Sequence, residues 1–239
     1  MNKQTKCLII IPAYNEAKNI EGVADNIIQN YPQYDYVIVN DGSTDATKKV
    51  CQKNRYQVLN LAINMGIGGA VQTGYCYARD NDYDIAVQID GDGQHDVAFL
   101  EGMVALIENG QADVVIGSRF VQKEGFQSSL PRRLGIKFLS GLGWILTGVR
   151  VRDITSGYRL VNKRFIQIFA QDYPADYPEP EAMVIAAVHG AKIKEYPVVM
   201  RERENGTSSI TLKRSIYYMI KVTLAMLIRR LSFGTGRKK

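Results

Sequence analysis

Cys7-Leu-Ile-Ile-Ile-Pro-Ala-Tyr-Asn-Glu16 decides the fold class, because it joins a continuous apolar run to a polar turn. An apolar, β-branched run stopped by proline is typical of a strand buried on both faces of a parallel sheet. A helical pattern follows at about 17–29, with Asn15 in the position of an N-cap. The stretch therefore predicts one strand, one turn and one helix.

The same order recurs along the chain. Residues 36–40 repeat the strand signal, 41–45 form a polar turn, and about 46–54 have a helical pattern. Alternating strands and helices predict an α/β fold with a mostly parallel central sheet flanked by helices. In such a sheet, ligands bind beyond the carboxyl ends of the strands.

Two aspartates separated by one glycine follow a third apolar run, 84–89, in the stretch Asp90-Gly-Asp-Gly-Gln-His-Asp96. Paired carboxylates at a strand end supply the hard oxygen ligands that Mg²⁺ or Mn²⁺ prefers, and such a cation binds a diphosphate. Asp-Gly pairs are also common turn formers, so a simple loop closure is the alternative.

Several other polar residues are expected at the same edge of the sheet. Asp41 can accept hydrogen bonds from a base or ribose, and Tyr14 can pack on a ring. The alternative is that Asn15 and Asp41 are only caps and turn residues. Arg119, at the end of a further strand near 112–118, could steady a phosphate or form a rim salt bridge of little energetic weight.

A glycine-rich entry, Asn64-Met-Gly-Ile-Gly-Gly69, precedes a helical pattern at about 70–79. Backbone N–H groups at such an entry, including that of Gly68, can approach phosphate or ribose oxygens. The spacing matches neither a dinucleotide fingerprint nor a P-loop. Close packing of the loop on a strand explains the glycines equally well.

Composition and charge exclude several classes. The chain has 239 residues and a formal charge of +6, but eight of its 30 Lys and Arg follow residue 210, where no acidic residue occurs. Removing these eight leaves 22 basic against 24 acidic residues, so the charge belongs to the C-terminal part and does not indicate a nucleic-acid partner. Three scattered cysteines are typical of reduced thiols, and we expect no signal peptide.

Two stretches in the second half of the chain are unusually apolar. Residues 134–149, which contain Trp144, fit a helix that is either core or lipid-facing. Residues 216–228 have basic residues on both sides, and thirteen helical residues cover roughly 20 Å, less than the bilayer core of about 30 Å. We predict an interfacial helix on an anionic membrane surface; a helix that only packs on the catalytic domain is the alternative.

The motifs resemble those of family-2 glycosyltransferases, especially dolichyl- and polyprenyl-phosphate sugar transferases. The resemblance rests on motifs in the family's order. These are Pro12-Ala-Tyr-Asn-Glu16, Val39-Asn-Asp-Gly-Ser-Thr-Asp45, Asn64 to Gly69, Asp90 to Asp96, Gly117-Ser-Arg119 and Asp153-Ile-Thr-Ser-Gly-Tyr-Arg159.

This resemblance implies a GT-A fold, a nucleotide-diphospho-sugar donor (UDP- or GDP-sugar), Mg²⁺ or Mn²⁺, and inversion at the anomeric carbon. It assigns nucleotide-sugar binding to Pro12, Tyr14, Glu16, Asp41, Gly68 and Asp90, and the metal to Asp90, Asp92 and Gln94. It assigns diphosphate or acceptor phosphate to Arg119, Arg133, Arg203 and Ser208. Asn40 departs from the family pattern, in which many members have an acidic residue.

The acceptor decides whether a general base is needed. A lipid phosphate is already an oxyanion at neutral pH, whereas a sugar hydroxyl needs a base. Glu179 and Glu181 are the candidates, with Glu181 favoured, unless both merely cap the helix expected at about 181–189. We therefore predict, with Asp92, Arg119 and Glu181 as catalytic residues, transfer to polyprenyl (undecaprenyl) phosphate, or alternatively to a hydroxyl of a lipid-linked glycan.

The predicted organisation is a catalytic domain, 1–209, and a membrane-associating helix and tail, 210–239. The expected location is the cytoplasmic face of the cell membrane, in cell-surface polysaccharide or glycan synthesis. A homo-oligomer is left open. In a different functional class, the chain is a catalytically silent module that only binds nucleotide sugars.

Overall fold

The computed structural model describes residues 5–122, 130–200 and 212–235. The strands are β1 (Cys7–Ala13), β2 (Asp35–Asn40), β3 (Val58–Asn60), β4 (Ile85–Gln88), β5 (Val114–Ser118), β6 (Arg159–Asn162) and β7 (Ile193–Pro197). The helices are α1 (Ile20–Asn30), α2 (Thr47–Lys53), α3 (Gly66–Asp80), α4 (Leu100–Glu108), α5 (Leu130–Thr147), α6 (Lys163–Gln171), α7 (Pro178–Val188) and α8 (Leu212–Thr235), with a 3₁₀ turn at Val97–Phe99.

The strands form one seven-stranded sheet in the order β3-β2-β1-β4-β6-β5-β7. All neighbouring pairs are parallel except those of β6, which runs antiparallel to β4 and to β5. The predicted α/β fold with a mostly parallel sheet is therefore confirmed. The carboxyl ends of β1, β2 and β4 meet at one edge, as the sequence predicted for these strands.

Both faces of the sheet are covered. Along β1, Leu8 and Ile10 belong to the core beneath α3, α6 and α7, whereas Ile9 and Ile11 belong to the core beneath α1 and α4. Successive side chains of a strand point to opposite faces, so a strand between two helical layers must be apolar at every position. This explains the unbroken apolar run from which the fold was predicted.

Asn15 does not cap the first helix. It has a φ of 59°, and its side-chain oxygen accepts hydrogen bonds from the backbone N–H groups of Thr44 and Asp45. The helix begins later, at Ile20, with Asn19 in the N-cap position. The prediction of an Asn15 cap was wrong because this amide joins two turns at the edge of the sheet instead.

The last helix is longer than predicted and has two distinct sides. It spans 24 residues, or about 36 Å, and buries Val222 and Met226 against the core beneath α7. Its opposite side exposes Tyr217, Ile220, Leu224, Ile228 and Leu231. No helix in the described ranges is both long and apolar enough to cross a bilayer.

Candidate active site

A cavity of about 350 Å³ lies beyond the carboxyl ends of β1, β2 and β4. Its polar lining residues are Tyr14, Glu16, Asp41, Asn64, Asp90, Asp92 and Glu179. The structure thus brings together residues from five separate parts of the chain. All the predicted nucleotide-binding residues except Gly68 line this cavity, including Pro12.

Asp41 and Tyr14 differ in exposure to solvent. The Asp41 carboxylate is buried, and its Oδ1 accepts a 2.7 Å hydrogen bond from the backbone N–H of Met65, which fixes the loop before α3. The Tyr14 ring is 47% exposed beside the same cavity. A hydrogen-bond acceptor held in place beside an exposed aromatic ring suits a nucleoside, whose planar nucleobase can stack on the ring while a ribose hydroxyl donates to the acceptor.

The acidic pair is held by its own loop. Asp90 Oδ1 accepts a 3.1 Å hydrogen bond from Gln88 Nε2, and the backbone N–H of Asp90 donates to His95 Nδ1 at 3.1 Å. Asp92 Oδ1 accepts from the backbone N–H of Gln94 at 3.0 Å. A Cβ on Gly157 would lie 3.3 Å from both carboxylate oxygens of Asp90, so this glycine permits a close approach of two loops.

The carboxylate oxygens in this cavity are suitable ligands for a hard divalent cation that binds a substrate at the same time. Asp90 and Asp92 place two carboxylates in one cavity, and the described residues contain no cluster of three or more His, Cys, Asp or Glu side chains suited to a metal. Mg²⁺ and Mn²⁺ commonly take one or two carboxylates and complete their shell with phosphate oxygens and water. The backbone N–H of Gln94 donates to Asp92, so this residue supports the acidic pair, and its side chain as a metal ligand stays a prediction.

Gly68 lies against a neighbouring segment. Its backbone N–H donates to the carbonyl of Ala175 at 3.2 Å, and a Cβ at this position would come within 2.0 Å of the carbonyl oxygen of Pro174. Gly66 and Ile67 of the same turn line the cavity, whereas Gly68 does not. Close packing therefore explains a glycine at position 68, but the packing is on residues 174–175 and not on a strand as the sequence alternative had it. A role of Gly68 in nucleotide binding stays a prediction.

Arg119 is also engaged outside the cavity lining. Its guanidinium makes two hydrogen bonds to the buried carboxylate of Asp153, at 2.8 and 2.7 Å, and the Arg119 backbone N–H makes a third at 3.1 Å. Asp153 therefore holds the Nε and Nη2 side of this guanidinium. Arg133 lies in the first turns of α5, and Arg203 and Ser208 lie outside the described residues.

The two candidate bases face different surroundings. Glu179 lines the cavity with Asp90 and Asp92, whereas Glu181 pairs with Arg229 of α8 at 2.8 Å and lines a second cavity of about 250 Å³. Burial raises the pKa of the Glu179 carboxyl to about 7; the nearby Asp90 carboxylate adds to the rise, and a backbone hydrogen bond and the Arg159 guanidinium oppose it. The structure therefore puts Glu179, and not the favoured Glu181, beside the acidic pair.

The local sequence explains this placement. Tyr177 has a φ of 49°, a left-handed conformation that is uncommon for a large side chain, and the chain enters α7 immediately after it. Pro178 and Pro180 fix their own backbone φ near the value of a helix, which sets the path of the chain on both sides of Glu179. The Pro-Glu-Pro-Glu pattern was visible in the sequence, but the side chain that faces the cavity was not.

A search of protein-family descriptions matches residues 8–169 to "Glycosyl transferase family 2". The chain belongs to glycosyltransferase family 2. This family-2 enzyme is 32% identical over 210 residues to UDP-N-acetylglucosamine–dolichyl-phosphate N-acetylglucosaminyltransferase of Methanococcus voltae, covering 80% of this chain and 83% of the relative. It is 28% identical over 227 residues to polyprenol monophosphomannose synthase of Mycolicibacterium smegmatis, covering 91% and 85%.

Solved structures agree with the GT-A fold of the family-2 enzyme. Glucosyl-3-phosphoglycerate synthase from Mycobacterium tuberculosis, in complex with UDP, superposes with a TM-score of 0.73 at 17% identity, covering 95% of this chain and 80% of that one. The same synthase with Mn²⁺, UDP-glucose and phosphoglyceric acid gives 0.71 at 18% identity, covering 95% and 80%. At these identities the similarity concerns the fold.

Proposed function

We propose that this family-2 glycosyltransferase transfers a sugar, with inversion, from a nucleotide-diphospho-sugar to a polyprenyl phosphate such as undecaprenyl phosphate. The observation that carries the proposal is that Asp90 and Asp92 share one cavity with Tyr14 and Asp41. A base-binding surface and a diphosphate-binding pair within one space are what a nucleotide-sugar donor requires. Synthesis of cell-surface polysaccharide or modification of a glycan would use the product.

Each group of residues has a separate task in the proposed reaction. Tyr14 and Asp41 bind the nucleoside and so fix the position of the diphosphate. Asp90 and Asp92 would hold Mg²⁺ or Mn²⁺, which neutralises the charge that develops on the departing nucleoside diphosphate. The buried surroundings of Asp92 exclude water from this side of the diphosphate, which favours transfer over hydrolysis.

The choice of acceptor draws on the relatives. The Methanococcus voltae and Mycolicibacterium smegmatis enzymes are named for dolichyl phosphate and polyprenol monophosphate products or acceptors. A phosphate monoester is ionised at neutral pH and attacks without a general base. Transfer to a lipid phosphate therefore needs no general base beside the acceptor.

A donor panel tests the proposal. Purified protein is incubated with membranes, undecaprenyl phosphate, Mn²⁺ and radiolabelled UDP- or GDP-sugars, and label is followed into organic solvent and into polysaccharide. We expect one donor to give an organic-soluble product whose label is released by mild acid. Label found only in polysaccharide would contradict the lipid-phosphate acceptor, and binding of donors without any transfer would favour a silent module.

We further propose that α5 and α8 bind the inner face of the membrane and so meet the lipid acceptor. The two helices pack on each other, and α5 exposes Leu134, Phe138, Trp144 and Ile145 while α8 exposes its own apolar side. Arg150 lies over the Trp144 ring at 4.9 Å. Aromatic and aliphatic side chains flanked by cations fit an interface with anionic lipid headgroups.

Charged substitutions on this surface are expected to release the protein from lipid. Each exposed aliphatic side chain of α8 that enters the bilayer contributes about 1.5–3 kcal/mol. Ile220→Glu with Leu224→Glu should therefore lower binding to anionic vesicles by at least about tenfold, measured by co-flotation. Ile28→Glu, at an exposed isoleucine of α1, is the matched control and should bind as the wild type does. Equal flotation of both variants would contradict the membrane surface.

A second candidate function is supported by Glu179. A carboxyl group whose pKa lies near 7, in the same cavity as the acidic pair, has the properties of a general base for a sugar-hydroxyl acceptor. In this version the acceptor is a lipid-linked glycan, and Glu179 takes the role predicted for Glu181. The two versions share the donor, the metal and the inversion.

The pH dependence separates the two acceptors. A base acts when it is unprotonated, so transfer to a hydroxyl should rise with pH through about 7, the pKa of Glu179, and Glu179→Gln should lower turnover by about 10²–10⁴-fold. With a phosphate nucleophile, the rise should follow the second phosphate pKa of about 6 and persist in Glu179→Gln. Initial rates from pH 5 to 9 provide the measurement, with Glu181→Gln as the control.

A further inference from the structure

A buried arginine lies behind the acidic cavity. Arg159 is only 2% exposed, on β6, where it faces Gln88 of β4 and Ile116 of β5 in the two ladders. Gln88 in turn donates to Asp90. Arg159 does not line the cavity, so any influence on substrate must pass through the residues that do.

The hydrogen bonds of Arg159 go to backbone carbonyls. Nη1 donates to the carbonyl oxygen of Glu179 at 2.9 Å, and Nη2 donates to that of Ser156 at 3.5 Å. Its Nε has no hydrogen-bond partner in the part of the chain that the structure describes. These carbonyls belong to the first turn of α7 and to the loop that brings Gly157 against Asp90. One guanidinium therefore joins both segments that flank the acidic pair.

The charge of Arg159 needs an explanation as well. A guanidinium remains protonated in proteins, and burying one without an ion-pair partner costs several kcal/mol. The ion pairs among the described residues do not include Arg159. The acidic group that Arg159 influences is Glu179: the positive charge of Arg159 lowers the pKa of the Glu179 carboxyl, whereas the Asp90 carboxylate raises it. Arg159 thus opposes the mutual repulsion of these carboxylates.

We infer that Arg159 is a positioning residue of the donor site, serving as a fixed internal cation. It anchors the first turn of α7 so that the Glu179 carboxylate faces the cavity, and it offsets the negative charge of this carboxylate before metal and donor bind. This inference rests on the proposed function only in taking the cavity as the donor site. Pre-organised charge of this kind avoids rearrangement when the donor arrives.

Two substitutions separate the charge from the anchor. Arg159→Gln keeps a hydrogen-bond donor but removes the positive charge. Arg159→Lys keeps the charge, but a single ammonium group lacks the planar, two-sided donor geometry with which the guanidinium binds both carbonyls. Mn²⁺ affinity is measured on the protein alone, from the electron paramagnetic resonance signal of free Mn²⁺. Donor kcat/KM is measured separately in the transfer assay, and thermal unfolding reports the fold.

Opposite changes in metal affinity and turnover are expected. Arg159→Gln should bind Mn²⁺ about three- to tenfold more tightly, because a nearby like charge is gone, while kcat/KM falls at least about tenfold. Arg159→Lys should keep the wild-type Mn²⁺ affinity within about twofold and restore only part of the turnover. A residue with a merely structural role would weaken Mn²⁺ binding and turnover together.

The outcomes also distinguish this inference from the proposed function. Unchanged or weaker Mn²⁺ binding in Arg159→Gln would overturn the role of the charge. If that variant does not fold, Arg159→Lys still tests whether the guanidinium anchors the first turn of α7. Full wild-type kcat/KM in Arg159→Lys would overturn this anchoring role. If the wild type transfers no sugar, the proposed function fails, yet the Mn²⁺ comparison continues to test Arg159.

Discussion

Replacement of Asp92 by alanine is expected to lower the rate of sugar transfer by about a thousandfold. Asp92 is buried, and its Oδ1 is oriented by the backbone N–H of Gln94 at 3.0 Å, so its carboxylate is directed before any ligand binds. In the proposed site, its loss would remove one of two anionic metal ligands and leave the departing diphosphate with less charge compensation. Initial rates at saturating Mn²⁺ and donor provide the measurement.

Asp96→Asn is a matched control for this experiment. Asp96 belongs to the same loop, but its side chain accepts a hydrogen bond from the backbone N–H of Ala98 at the start of the 3₁₀ turn. Asparagine preserves a capping oxygen, and we expect turnover within a few-fold of wild type. Wild-type rates in Asp92→Ala would contradict a catalytic pair at this strand end and would leave the turn interpretation of the two Asp-Gly dipeptides standing.

Replacement of Asp153 by alanine should have the largest effect on stability. Asp153 is fully buried and accepts three hydrogen bonds from Arg119, which is itself 6% exposed. Removing the carboxylate breaks the buried, two-pronged ion pair with the Arg119 guanidinium, a change that typically costs 3–5 kcal/mol. The loss should appear as a lower urea midpoint with an unchanged slope.

An exposed ion pair supplies the comparison. Arg79 and Asp80 pair at 2.8 Å, but their side chains are 37% and 61% exposed. Asp80→Ala should therefore change the free energy of unfolding by less than about 1 kcal/mol. A similarly small loss in Asp153→Ala would show that Arg119 finds another counterion, which would make its release toward a donor phosphate energetically accessible.

The strands that lead into the cavity residues could be predicted from the sequence. The strands that complete the sheet could not. β1, β2, β4 and β5 are apolar on both faces and could be recognised from composition alone. β6 has only four residues, two of which are Arg159 and Asn162, so its composition resembles a loop. Its antiparallel insertion between β4 and β5 depends on packing between distant segments, which local patterns do not encode.

The candidate site divides in the same way. Tyr14, Asp41, Asp90 and Asp92 follow predicted strands, so the rule that ligands bind at carboxyl ends placed them correctly in one cavity. The choice between Glu179 and its neighbour two residues later could not be made, because it depends on the left-handed turn before α7 and on a cation contributed by α8. Arg159 was visible only as the end of a family motif.

The burial of Val222 and Met226 limits how far α8 can move relative to the cavity. Since one side of α8 is part of the core, the helix cannot swing outward on a tether without disrupting that core. If its other side rests on lipid, the cavity is held at a constant height above the bilayer. The enzyme would then select acceptors whose reactive phosphate extends that distance from the bilayer surface. It would reject acceptors whose phosphate lies closer to the bilayer.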